Sequence, residues 1–305
     1  ADALSERARS GVKVNRLVDW LGSDRIDKND IEKMQKSGVE FEKYNELAWY
    51  NISRFNNRTH RKLLIVDGRI GFTGGVGISD QWRGKAQDPD HWRDTHFKVE
   101  GPIVVELQSA FMDNWIKANG KILHGIEYFP ALDSSGSLSA QIFTSSPQGG
   151  SESMELMYLL AIASAERSIL ISNAYFVPDD LSVKTLISAM KRGVKVQIIV
   201  PGPHIDNATV RHASHSRWGD LLKAGAEIYE YQQTMYHCKV MIVDGIFTTV
   251  GSTNFDPRSF GLNAEANLNV YNEDFAATQT EVFHNDLSHS SQFTYAQWQE
   301  RPLWE

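Results

Sequence analysis

The chain has 305 residues, 41% hydrophobic and 23% charged, an ordinary globular composition with room for two lobes, and this excludes a disordered chain. Its formal net charge of −7 argues against broad electrostatic capture of nucleic acid or an anionic membrane, so any basic patch must be local. One cysteine, Cys238, leaves no internal disulfide.

In chain order, Ser10-Gly11-Val12-Lys13-Val14 and Lys36-Ser37-Gly38-Val39-Glu40-Phe41 predict a helix–strand–helix–strand opening. Aromatic and basic residues follow, Trp49, Tyr50, Arg54, Arg58 and Arg61, placed to line a groove and contact phosphates. The run Lys62-Leu63-Leu64-Ile65-Val66 predicts a buried strand closing at the turn Asp67-Gly68. Beyond it come Gly74-Gly75-Val76-Gly77, Trp82, and Asp90-His91-Trp92-Arg93-Asp94. Linker-like segments at 133–137 and 148–151 divide the chain into a first lobe over 1–136 and a second over 137–305. The second half reads as a strand at 141–144, a helix at 152–166, a strand at 168–172, then Arg192-Gly193-Val194-Lys195-Val196 and Lys223-Ala224-Gly225-Ala226-Glu227-Ile228, which repeat the opening pair. It continues through a strand at 239–243, the turn Asp244-Gly245, Gly251-Ser252-Thr253-Asn254, and a closing helix at 273–287 that covers the sheet. Strands alternating with helices predict an α/β fold with helices packed on mixed sheets. The second half places two strands and a helix ahead of Arg192, whereas only ten residues precede Gly11, so about 40 residues of the first repeat are expected to be lacking. Residues 1–7 have neither the basic start nor the apolar middle of a signal peptide, and no apolar run approaches a membrane span, so a peripheral or cytoplasmic location is expected.

The chemistry resides in a pattern that occurs twice. His60-Arg61-Lys62 is followed five residues on by Asp67, and His237-Cys238-Lys239 five residues on by Asp244. On a strand, residues two apart share a face, so His60 stands beside Lys62 and His237 beside Lys239, while Arg61 and Cys238 turn away. A neutral imidazole can attack phosphorus or protonate a leaving alkoxide, and a lysine neutralises the non-bridging oxygens. Displacement at phosphorus needs a nucleophile on one side and an acid on the other, so the two copies define one composite site with no metal and no cofactor. His204, His212 and His215 lack partner Cys or carboxylate ligands in a recognisable order, and Cys238 reads as a small buried hydrophobe.

These motifs resemble the signature of the phospholipase D superfamily, which places two of them across a pseudo-twofold axis. Asp90–Asp94 ahead of Glu100-Gly101-Pro102, Asn173-Ala174-Tyr175-Phe176-Val177-Pro178, Pro201-Gly202-Pro203-His204 and Asn263-Ala264-Glu265-Ala266-Asn267-Leu268 are similar to its bacterial cardiolipin synthase branch. The resemblance implies phosphatidyl transfer through phosphohistidine to an alcohol, with water as competitor, on a phospholipid such as phosphatidylglycerol at a peripheral membrane surface, and no nucleic-acid partner. It makes His60 the nucleophile, His237 the acid and base, and Lys62 and Lys239 the phosphoryl clamps, with Asn254 and Ser252 as donors. Gly75 and Gly77 stand where the second half has Ser252 and Asn254, and backbone N–H groups are expected to substitute. Glu265, 28 residues past His237, is expected to orient that histidine, and Asp94, 34 past His60, is its counterpart. Asp67 and Asp244 are expected to brace the site, and Arg58, Tyr236 and Phe176 to contact substrate. A hydrolase releasing phosphatidic acid, and less favoured a nuclease, remain alternatives.

Overall fold

A computed structural model describes residues 1–24, 26–45, 57–147 and 152–301. The expected roles of Trp49, Tyr50, Arg54 and the loop at 148–151 lie outside the described residues.

The first half runs α1 (Asp2–Arg9), β1 (Asn15–Asp19), α2 (Lys28–Lys36), β2 (Glu40–Tyr44), β3 (Arg58–Thr59), β4 (Leu63–Val66), β5 (Ile70–Gly74), β6 (His96–Glu100) and α3 (Ile103–Asn119). Asp27 caps α2 by accepting from the Asn29 N–H. The second half runs β7 (Ser139–Ser145), α4 (Ser153–Ser164), β8 (Ser168–Asn173), α5 (Asp180–Lys191), β9 (Lys195–Pro201), α6 (Ala208–Arg217), α7 (Gly219–Lys223) and β10 (Glu227–Tyr231). It closes with β11 (Lys239–Val243), β12 (Phe247–Gly251), α8 (Pro257–Gly261), β13 (Asn263–Tyr271), α9 (Glu273–Ser288), β14 (Ser290–Phe293) and α10 (Tyr295–Gln299). The repeats therefore fold as expected, with Arg192-Gly193 and Lys223 to Gly225 ending helices before β9 and β10.

A nine-stranded sheet carries the second half, in the order β14-β10-β9-β8-β11-β12-β13-β3, with β7 also on β13. It is mixed: β8, β9 and β10 run parallel, while β11, β12 and β13 form an antiparallel meander. One face packs under α4, α5 and α7 through Met154, Tyr158, Leu186, Ile198 and Leu221. The other face packs under α9 through Ala276 and Phe283, and receives Leu107 and Ala110 from α3 of the first half. The two halves thus share one apolar core, which makes their relative position a property of packing.

The class is α/β as expected, but the first half divides its strands between a parallel pair, β1-β2, and an antiparallel trio, β4-β5-β6. In the second half β8 stands between β9 and β11 and joins the two parts. Among the described residues no strand occupies that place between β1 and β4. The consequence shows in β4: where every residue of β11 is buried, β4 alternates, with Leu64 53% and Val66 39% exposed. Its expected burial is therefore half realised, because among the described residues one edge of β4 has no neighbour to carry a covering layer.

Candidate active site

The two motifs are built on matching hairpins. Leu63 faces Thr73 as Val240 faces Val250, and Gly74 faces His96 as Gly251 faces Asn267. Asp94, two residues before His96, and Glu265, two before Asn267, are therefore equivalent positions in the two halves.

The carboxylates are exchanged between the halves. Glu265 accepts from His60 Nδ1, with both oxygens at 3.1 Å, and Asp94 Oδ2 lies 2.7 Å from His237 Nδ1. The expectation that Glu265 orients His237 is corrected, and so is the placing of Asp94 with His60. The cause is strand pairing across the halves: β13 runs beside β3, so the His60 N–H reaches the Ala264 carbonyl at 2.9 Å. Symmetrically, Arg93 bridges to Tyr236, and the His237 N–H reaches the Arg93 carbonyl at 2.7 Å. Each histidine therefore sits beside the other half's carboxylate strand. With Nδ1 held by a carboxylate, Nε2 is the nitrogen of each ring left for chemistry, and on His237 it lies 3.2 Å from Lys239 Nζ.

Both carboxylates are buried and held below their ordinary range by their histidines acting against desolvation. The Glu265 carboxylate also accepts from Ser252 Oγ and, at 3.1 Å, from Asn263 Nδ2. Asp94 accepts from Trp82 Nε1 at 2.9 Å and from the Thr95 N–H at 2.7 Å. Burial first, then the neighbouring Lys239 ammonium, lowers His237 to about 3, and burial lowers His60, so both imidazoles are neutral at rest. Burial first, then Lys239, brings Lys62 down to about 8, and burial lowers Lys239 as well. Lys239 Nζ lies 3.2 Å from the His237 ring nitrogens and donates to that residue's carbonyl at 2.7 Å; Lys62 Nζ makes the corresponding bond to the His60 carbonyl at 3.1 Å. Two ammonium groups that repel each other, Lys239 buried and Lys62 half-buried, suit an anion between them.

The second-half donor loop is rigid. Thr253 Oγ1 donates to Asn267 Oδ1 at 2.8 Å, and a Cβ on Gly251 would lie 2.2 Å from that same oxygen, so only glycine fits there. Asn254 follows, 6% exposed, with its Oδ1 buried and unpartnered. Ser252 is committed to Glu265, which replaces its expected donation to phosphate. Gly75 likewise offers no free donor, since its N–H is bonded to the Thr95 carbonyl at 2.9 Å. Gly77 lies against the Trp82 ring.

Other expected contacts are spent elsewhere. Arg58 donates to Asp19 through Nε at 2.8 Å and a terminal nitrogen at 2.6 Å. Arg61, turned away as expected, braces the halves through the Ala110, Ser145 and Glu265 carbonyls. Tyr236 is fully buried, donating to Ser172 or Asp286, and Phe176 is 1% exposed in the core. Both were expected at the substrate because aromatic character alone does not separate core from groove. Asp244 accepts from the N–H groups of Glu166, Arg167 and Ser168 at 2.8, 2.7 and 2.9 Å, beyond the end of β11 opposite Lys239. With φ of 54° at both, Asp67 and Asp244 are turn residues, and Asp244 braces the β8 entry where a brace of the site was expected. Cys238 is buried, its thiol pushed up to about 12 by desolvation. Asn263 and Trp82 are the residues whose roles went unread; the only signal for Asn263 is that it shares a strand face with Glu265.

Paired H-x-K segments meeting at one composite site are the arrangement that the sequence resemblance implies, and the comparisons point to the phospholipase D superfamily as what this chain is similar to. Residues 158–287 match the family model for the cardiolipin synthase, PLD-like domain. The major cardiolipin synthase ClsA of Bacillus subtilis is 37% identical over 309 residues, covering 99% of this chain and 63% of that protein. A cardiolipin synthase of Geobacillus sp. (strain WCH70) is 38% identical, covering 98% of this chain and 60% of that protein. The chain thus spans a little under two thirds of the length of the curated relatives it matches, and those relatives are cardiolipin synthases. The phosphatidylserine synthase of Haemophilus influenzae Rd KW20 superposes on 97% of this chain and 78% of its own with TM-score 0.70 at 14% identity, a likeness of fold.

Proposed function

We propose that the protein transfers a phosphatidyl group through a covalent phosphohistidine, joining two phosphatidylglycerols into cardiolipin and releasing glycerol. The observation that carries this reading is the convergence of two carboxylate-bound imidazoles with buried Lys239 and half-buried Lys62. Sequence similarity to cardiolipin synthases over nearly the whole chain supplies the substrate class.

The phosphodiester binds between Lys62 and Lys239, and its negative charge raises the His237 pKa, so that His237 takes up a proton. His60 Nε2 attacks phosphorus while Glu265 stabilises the positive charge that develops on the ring through Nδ1–H. The P–O bond to glycerol breaks, and His237 gives its Nε2 proton to the leaving oxygen. In the second step neutral His237 takes the proton of a second phosphatidylglycerol's hydroxyl, whose oxygen bonds to phosphorus as the P–N bond breaks and its electrons return to His60. Water in place of the alcohol gives phosphatidic acid. Among the described residues no helix is long and apolar enough to cross a membrane, and the lipid is proposed to be met at a membrane surface.

The test is to incubate the protein with phosphatidylglycerol vesicles and quantify glycerol, cardiolipin and phosphatidic acid. Glycerol matched by cardiolipin supports the transferase. Glycerol matched by phosphatidic acid alone makes the protein a hydrolase on the same intermediate, and no glycerol release refutes both.

A further inference from the structure

The two halves brace their carboxylates with different residues. In the second half Ser252 Oγ donates to Glu265, and Asn254 stands two residues on. At the matching positions of the first half a side chain is impossible or displaced: a Cβ on Gly75 would lie 2.1 Å from Asp94 Oδ1, and one on Gly77 would lie 3.0 Å from the Trp82 ring. One residue fills both places. Trp82 Nε1 donates to Asp94 Oδ2 at 2.9 Å, and its ring covers Gly77.

The same indole meets the His237 ring edge-on, centroids 5.4 Å apart, and packs on Trp92 at 4.7 Å, while Trp92 covers His237 at 5.2 Å. The pair is fixed in place. Trp92 N–H bonds to the Gln81 carbonyl at 2.6 Å, and Thr234 Oγ1 of the second half donates to the His91 carbonyl at 2.6 Å. His60, braced by polar groups, keeps 28% of its side chain exposed, whereas His237, walled by indoles, keeps 9%.

We propose that Trp82 is the positioning residue of the first half, holding Asp94 on His237 as Ser252 holds Glu265 on His60, and that Trp82 and Trp92 together form a wall favouring an alcohol over water as acceptor. This rests on the phosphohistidine reading above. His237 must take a proton from whichever acceptor attacks, and indole faces offer water no chain of hydrogen-bond partners. A glycerol-type acceptor presents C–H surface to the same faces and displaces water from them. The second step is otherwise the same for either acceptor: oxygen bonds to phosphorus, the P–N bond to His60 breaks, and the proton passes to His237.

The test uses the whole chain with two substrates, phosphatidylglycerol vesicles and a soluble p-nitrophenyl phosphodiester with added glycerol. Trp82→Phe keeps the ring and loses the N–H, and Trp92→Leu keeps the N–H bond of Trp82 and loses the second ring. Trp82→Phe should lower kcat at least tenfold with KM within twofold, and Trp82→His, which restores a ring N–H, should recover part of it. Trp92→Leu should raise the ratio of water-derived to alcohol-derived product about tenfold. Equal kcat in Trp82→Phe and wild type overturns the positioning role; an unchanged product ratio in Trp92→Leu, with folding verified by circular dichroism, overturns the wall. Should the wild type partition the soluble diester while leaving vesicles untouched, the lipid reading fails and this inference stands on the soluble ratio.

Discussion

Replacing Glu265 by Gln tests the exchanged carboxylates most severely. The Glu265 side chain is wholly buried and accepts from His60 Nδ1, Ser252 Oγ and Asn263 Nδ2 at once. An amide has a single oxygen, so at least one of those donors faces an N–H2 group. Where that group turns towards His60 Nδ1 it imposes the tautomer protonated at Nε2, and the attacking lone pair is lost. A hydrogen bond to a charged partner contributes about 1.5–3 kcal/mol. At about 1.4 kcal/mol per tenfold in rate, the lost charge alone costs roughly 10- to 150-fold. Tautomer inversion adds to this, with the roughly 10⁴-fold of the analogous change in a serine-protease triad as an upper guide. Single-turnover trapping of phosphohistidine and steady-state glycerol release should both slow by that factor, with KM within a few-fold because Lys62 and Lys239 remain. A kcat within threefold of wild type would show that Glu265 is a structural carboxylate and that His60 is oriented by something else.

With Lys62 lowered to about 8 by burial and Lys239, its ammonium is present below that pH and lost above it, so kcat/KM should fall as pH rises through about 8. Lys62→Arg, charged throughout, should lose activity at pH 7 yet show no such fall; an unmoved limb would assign it to another group. Asp244→Asn keeps a residue that tolerates the left-handed turn but disturbs three backbone hydrogen bonds at 166–168. It should cost about 1 kcal/mol in urea unfolding and leave kcat within twofold, whereas a large kcat loss at unchanged stability would return Asp244 to the catalytic set. Excess chelator should leave turnover unaffected, since the two lysines stabilise the phosphoryl charge, and loss rescued by one metal ion would contradict this.

The strands that follow His60 and His237, the helical repeats and the α9 cover were readable because each depends on a local pattern of apolar residues and turn signals, although both histidines lie just ahead of β4 and β11 and not on them. The partner of Glu265 was not. Counting residues within one half leads to His237, whereas the decisive contact is β13 beside β3, a non-local pairing that leaves no local pattern. Arg58 reads as a phosphate ligand until Asp19 closes on it from β1, and Tyr236 and Phe176 read as groove residues until the shared core buries them. The glycines at 75 and 77 were visible as departures from the second half, but their meaning required Trp82, whose indole reaches back to occupy their space.

The proposed division of labour gives His60 the phosphatidyl group and His237 the protons, each histidine oriented from the opposite half. Its direct test is to react wild type, His60→Ala and His237→Ala with radiolabelled phosphatidylglycerol, quench in alkali, where phosphohistidine survives, and map the label by mass spectrometry. Label is expected on the peptide containing His60, none in His60→Ala, and label retained on His60 in His237→Ala when a substrate with a good leaving group makes the acid dispensable. Label on His237 in the His60→Ala protein would contradict it and reverse the two roles.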